Sequence, residues 1–194
     1  MRSIQAYQEL FSMHLQSMAL VKEPLGLYDP ISYILKLGGK RMRPVLALMA
    51  CDAMGKNPSS ALSVATAVEL FHNFTLLHDD IMDEASLRRG QQTVHQKWDV
   101  NTGILSGDAL LVIAYQQLNQ YEDTLFSQLT KLLSETALLV CEGQQYDVDF
   151  GTRNDVSLEA YIQMIQLKTA VLLGCALRMG ALVGNCLLYT SDAA

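Results

Sequence analysis

The run from Pro58 to about Glu84 limits the possible folds more than any other segment. Leu62, Ala65, Val68, Phe71, Leu76 and Leu77 recur there at the three-to-four-residue interval of a helix face, where a strand would alternate. Asn57-Pro58 supplies the start, a capping side chain before a proline at the first helical position. Such a helix has to bury its apolar face against other helices. The same signals predict helices at Ile4–Val21, from the Asp29 cap with Pro30 as its first residue, at Val45–Met54 behind Pro44, at Gly103–Gln120, at Leu125–Phe150 and at Ser157–Gly184. Ser86–Gly90 and Gly151–Val156 read as short polar loops. Half of the residues are apolar and only 4 prolines and 12 glycines occur in 194, so the expectation is one all-α domain without a linker or an internal repeat.

Charge narrows the function classes. The formal net charge of −6 argues against a nucleic-acid binder, which needs a basic face for phosphates. Cys51, Cys141, Cys175 and Cys186 have no paired metal-ligand spacing and are expected as reduced, mostly buried thiols of a cytoplasmic protein. The most apolar stretch, Ala170–Leu188, is interrupted by Arg178 and Asn185, so a core helix is expected there and not a membrane span.

The sharpest chemical feature sits at the end of the long helix, in His72-Asn73-Phe74-Thr75-Leu76-Leu77-His78-Asp79-Asp80-Ile81-Met82-Asp83. Residues four apart share a face, so Asp79 and Asp83 project together while Asp80 lies about 100° round. Acids at a helix C-terminus oppose its dipole and call for a cation. Two carboxylates one turn apart suit magnesium, which completes its shell with water and substrate phosphates. A solvated acidic helix end is the plainer alternative. Two cationic clusters flank the acids: Gly38-Gly39-Lys40-Arg41-Met42-Arg43-Pro44 before them and Arg88-Arg89 after them. Arginine forks and a lysine point charge are what a diphosphate requires. Two clusters around one carboxylate helix point to two diphosphates, one met by metal and one by cations alone.

With these elements in order, the sequence resembles the trans-prenyl diphosphate synthases, the polyprenyl synthetase family, from roughly Leu25 to Asn185. The resemblance rests on Gly38–Pro44, the aspartate-rich Asp79-Asp80-Ile81-Met82-Asp83, Arg88-Arg89-Gly90, Gly143-Gln144-Gln145-Tyr146-Asp147 and Lys168-Thr169. It implies an isoprenoid-synthase helical bundle around a central cavity and a magnesium-dependent transferase. Lys40, Arg43, His72 and Arg89 would hold isopentenyl diphosphate. Asp79 and Asp83, with Asp80 in support, would hold magnesium at an allylic diphosphate, which Arg88 and Lys168 would contact. Thr169 would help stabilise the developing carbocation and Gln144 would line the same cavity. His78, Asp147 and Asp149 receive no role, Asp149 reading as structural. The family resemblance also implies a homodimer.

Product length is expected to follow the depth of the cavity. Phe74 precedes Asp79 by five residues, about 7.5 Å along a helix. Its ring could floor the pocket; an aromatic at this position with an uninterrupted Asp-Asp-x-x-Asp resembles the family's short-chain members, which implies C15 or C20 products, and the small Thr75 favours C20. Simple core packing is the other reading of Phe74. The family carries a second aspartate-rich motif on a later helix that this sequence does not reach. Cys186–Ala194 resembles the translation of a sequencing-library adapter. Residues 1–185 are therefore read as the N-terminal part of one domain, truncated at its C-terminus and inactive alone, with 186–194 a non-native tail. Leu172, Leu173 and Leu177 would then be at least partly exposed. Two rivals stand beside this reading. A terpene cyclase would need no second diphosphate site, and a non-catalytic subunit would need no intact acids.

Overall fold

A computed structural model describes residues 2–18 and 20–185. Its centre is the long helix anticipated above, α4 in the chain order α1 (Ile4–Ser17), α2 (Leu25–Lys36), α3 (Met42–Ala53), α4 (Leu62–Met82), α5 (Val94–Lys97), α6 (Val100–Gln116), α7 (Asp123–Phe150), α8 (Leu158–Ile165) and α9 (Val171–Val183). Val64, Ala65, Ala67, Val68, Leu70 and Phe71 are all buried, so the first half of α4 is a largely apolar core helix wrapped by α3, α6 and α9, with Thr66 and Glu69 buried among them. The fold is all-α, as expected, apart from one two-residue-per-strand hairpin.

Local chemistry explains most boundaries. Asn57 accepts from the Ser59 amide at 3.0 Å and opens a 3₁₀ turn, Pro58–Ala61, that feeds α4. Ser157 caps α8 through the Ala160 amide at 3.2 Å, and Asp99 caps α6 through Thr102. Helix α1 ends at Ser17, short of the expected Val21. The second helix corrects the reading of Asp29-Pro30 as its start: α2 begins at Leu25 and Pro30 lies inside it. Pro30 leaves the Gly26 carbonyl without its helical donor, but Gly26 is exposed to water, while Pro30, Ile31, Ile34 and Leu35 go into the core.

The Ser86–Gly90 loop turns out to hold a hairpin, β1 (Leu87–Arg88) against β2 (Gln91–Gln92), with positive φ at Arg89 (55°) and Gly90 (77°). The expected single helix over 157–184 is interrupted by a π turn at Gln166–Ala170, which separates α8 from α9. By length and composition Leu158–Val183 would suffice to cross a bilayer. Its second half is a core helix: a Cβ on Gly180 would run into the Ala47 carbonyl of α3. Leu172 is buried there, against the expectation of exposure, because α9 packs on α3 and α7; Leu173 is half-buried and Leu177 exposed. The first half leaves Leu158, Tyr161 and Ile162 exposed. Cys51 and Cys175 are buried thiols, Cys141 is exposed where a buried thiol was expected, and Cys186 lies outside the described residues. So does the proposed boundary at 186–194.

Candidate active site

The C-terminal half of α4 turns His72, Thr75 and Asp79 toward α7 and the π turn. There the chain encloses a cleft of about 360 Å³. Phe74, Leu76, Met82, Val140, Val148 and Leu172 give it apolar walls, and Arg43, His72, Asp79, Gln144, Lys168 and Thr169 put polar groups into it. The last six were all singled out from sequence, and they come from four elements.

Lys168 organises one side. Its Nζ lies 2.6 Å from Asp147 Oδ2 and 3.4 Å from Asp79 Oδ1. Burial alone would lower this ammonium, but Asp147 and Asp79 outweigh it and hold its pKa above the ordinary lysine value. The π turn aims Lys168 inward, and Gly143 lets it come close. A Cβ on Gly143 would meet the Lys168 amide nitrogen and the Leu167 carbonyl carbon, the latter at 2.7 Å. The Gly143-Gln144 and Lys168-Thr169 motifs are thus two halves of one contact.

On the other side Arg43 Nη1 lies 3.1 Å from His72 Nε2. Burial, then the charges of Arg43, Arg89, Arg88 and Arg41, push the His72 pKa down to about 3. The imidazole is therefore neutral, with Nε2 accepting from the guanidinium. Arg43 itself is lowered by burial, partly offset by Glu69. Arg43 Nε and Gln144 Nε2 are buried donors without a partner among the described residues, as a cleft waiting for an anion would have. Arg89 donates to the Gly38 carbonyl and its guanidinium packs over Gly39, where a Cβ would touch it. Lys40 is exposed at the same loop.

The three aspartates divide. Asp80 is 1% exposed and receives Arg88 through Nε at 2.9 and 2.8 Å and Nη2 at 2.7 Å. It stands apart from the cleft and raises the Arg88 pKa. Arg88 Nη2 reaches Asp79 only at 4.0 Å. Asp83 caps α4, its amide bonded to the Asp79 carbonyl at 2.9 Å. Burial and then the Asp79 charge raise its pKa, with the Lys168 charge acting the other way. No group of three or more His, Cys, Asp or Glu side chains converges on a metal position among the described residues. Asp79 and Asp83 therefore do not make a closed protein site. As two carboxylates at a helix C-terminus, they fit a hydrated magnesium shared with substrate phosphates.

Asp147 was left without a role in the sequence and proves to be a partner of Lys168. Its signal was present, since Gly143 and Asp147 are four apart and share the face that meets the π turn. The buried pairing of Arg41 with Glu69 had no such signal. Phe74 lines the cleft, its ring edge-on to His78 at 4.8 Å. His78 in turn lies 3.2 Å from the Ile104 carbonyl of α6 through Nε2.

The chain is similar to known proteins in sequence and fold. The family model described as polyprenyl synthetase matches residues 25–192. The geranylgeranyl diphosphate synthase of Methanosarcina mazei is 44% identical over 167 residues, covering 85% of this chain and 52% of its own length. A solved structure of a geranylgeranyl pyrophosphate synthase superposes with a TM-score of 0.93 at 57% identity, covering 95% of this chain and 57% of that one. The geranylgeranyl pyrophosphate synthetase of the archaeon Geoglobus acetivorans gives 0.89 at 36% identity over 93% of this chain and 60% of that one. The chain thus spans about half the length of the curated relatives it matches. The family match over residues 25–192 makes this chain a member of the polyprenyl synthetase family.

Proposed function

We propose that this chain contributes to a prenyl transferase that condenses an allylic prenyl diphosphate with isopentenyl diphosphate, giving C15–C20 products with C20 favoured. The observation that carries the reading is one apolar cleft holding two polar sets of different character. Asp79 with Lys168 is an acid–ammonium pair suited to a metal-bridged diphosphate. Arg43 with neutral His72 is a cationic pair with unfilled donor capacity, suited to a diphosphate without metal. The names of the relatives support C20.

Magnesium, when bound by Asp79 and Asp83, would neutralise the allylic diphosphate as its carbon–oxygen bond breaks. Lys168, released from Asp79, is placed to add a direct charge contact to the departing group. Arg88 is anchored by Asp80 and orders the loop beside that charge. Arg43, Lys40 and Arg89 would fix the isopentenyl diphosphate, with His72 holding Arg43 as a neutral acceptor. The isopentenyl double bond then attacks the allylic cation, and the proton lost from the adduct goes to the departing diphosphate. Thr169, which lines the cleft, would help stabilise positive charge. The apolar walls exclude water that would trap the cation as an alcohol. Phe74 would limit the tail.

A homodimer accords with the exposed Ile104, Leu105 and Val112 on the outer side of α6, and reduced buried thiols accord with a cytoplasmic setting. The test is to complete the chain to the length of its relatives, supply magnesium, farnesyl diphosphate and labelled isopentenyl diphosphate, and follow label into geranylgeranyl diphosphate. Product formed from the allylic substrate alone would favour a cyclase. Binding of both substrates without any product would favour a non-catalytic subunit.

A further inference from the structure

Glu69 is a buried acid that the reaction does not use. It is 3% exposed, lies on α4 three residues before His72, and does not line the cleft. Its carboxylate meets the Arg41 guanidinium and accepts from Asn73 Nδ2 at 3.1 Å. Arg41 donates further to the Leu35 carbonyl at 2.5 Å. One buried carboxylate therefore fastens the last turn of α2 and the loop before α3 onto the central helix.

The backbone at the fastened point is unusual. Arg41 has φ 50° and ψ 37°, left-handed values that a long side chain seldom adopts unless its surroundings hold it there. This turn separates Lys40 from Arg43 and so fixes how the two cations are spaced at the start of α3. Stability alone is a poor reason for such a pair, because apolar residues of similar volume commonly serve a core equally well. The Glu69 charge also acts on Arg43 and Arg89.

We propose that Glu69 is a positioning residue for the diphosphate-binding wall, holding Arg41 and thereby the turn that places Lys40 and Arg43 for a diphosphate anion. The identity of that anion as isopentenyl diphosphate rests on the function proposed above, but the positioning itself does not. A mere counter-charge would behave in the opposite way, since removing it would raise the positive potential and tighten anion binding.

The experiment is calorimetric titration of inorganic diphosphate, without metal, into the chain and into Glu69→Gln, Glu69→Asp, Arg41→Gln and the double Glu69→Gln/Arg41→Gln variant. Arg43→Ala serves to locate the binding. Each single neutral variant should weaken binding on the order of tenfold, as loss of a charged hydrogen bond would. The double variant should be no weaker than the worse single one, and Glu69→Asp should recover part of the loss. Unchanged or tighter binding by Glu69→Gln, or additive losses in the double variant, would overturn the proposal. Should Glu69→Gln fail to fold, Arg41→Lys keeps the buried charge balanced and loses only the fork. Wild-type affinity in a folded Arg41→Lys protein would equally overturn it. If a protein completed to the length of the relatives forms no isopentenyl-dependent product while these shifts occur, the transferase reading fails and the positioning role stands.

Discussion

At the scale of single residues the account depends on charge. Asp79→Ala removes the one aspartate that both lines the cleft and contacts Lys168. In a protein completed to the length of its relatives, activity should fall by roughly two to three orders of magnitude or more, as when an electrostatic group at a leaving charge is deleted; turnover within a few-fold of wild type in a steady-state assay would remove the metal assignment. His72 gives a pH signature. Its folded pKa of about 3 lies below the ordinary 6.5, so the unfolded chain takes up a proton that the folded chain refuses. The neutral ring costs nothing above about pH 6.5, and stability is lost progressively as pH falls from there toward 3. Urea midpoints between pH 6.5 and 5 should decline less in His72→Gln than in the parent; equal slopes would contradict a buried neutral imidazole. In the completed enzyme Phe74→Ala should lengthen the product by opening the cleft beside His78, read by chromatography of the dephosphorylated alcohols, and an unchanged product spectrum would return Phe74 to core packing. These residues were legible because their types are costly where they stand: adjacent acids at a helix end and arginines beside glycines. Asp80 was legible as an acid but not as the anchor of Arg88, since an i to i+8 contact across a turn depends on a hairpin that the short polar loop did not announce.

At the scale of elements, the site exists because α7 and the π turn touch. Gly143→Ala would place a methyl against the backbone of Leu167 and Lys168, which cannot rotate away as a side-chain tip could. Overpacking of this kind costs about 1–3 kcal/mol. The expected result is a lower melting temperature together with weaker allylic diphosphate binding, while isopentenyl binding through Arg43 changes less. Equal affinity for both ligands in a destabilised variant would mean that Gly143 serves stability alone. Helix identities were readable from period and caps: Asn57 and Ser157 accept from the amides that such caps address, whereas the Asp99 cap starts α6 at Val100, ahead of the expected Gly103. The start of α2 was misread because a proline normally argues for a first turn, and tertiary burial of Pro30 and Ile31 overrode that preference. The π turn was not legible either, since one extra residue in a turn leaves apolar spacing nearly intact.

At the scale of the whole molecule, α4 is a core helix in its first half and a wall of the cleft in its second, so folding the bundle and forming the site are one event. The order of motifs along the chain carried the family resemblance, but not which walls they would share. The central claim is that one cleft holds two diphosphates by different means. The direct measurement is equilibrium titration of isopentenyl diphosphate and of an unreactive allylic thiolodiphosphate, each with and without magnesium. The account predicts two sites that fill together. The allylic analogue should need magnesium and lose binding in Asp79→Ala, and isopentenyl diphosphate should bind without metal and weaken by about 1.5–3 kcal/mol in Arg43→Ala. A single shared site, or two sites with the same metal dependence, would contradict it.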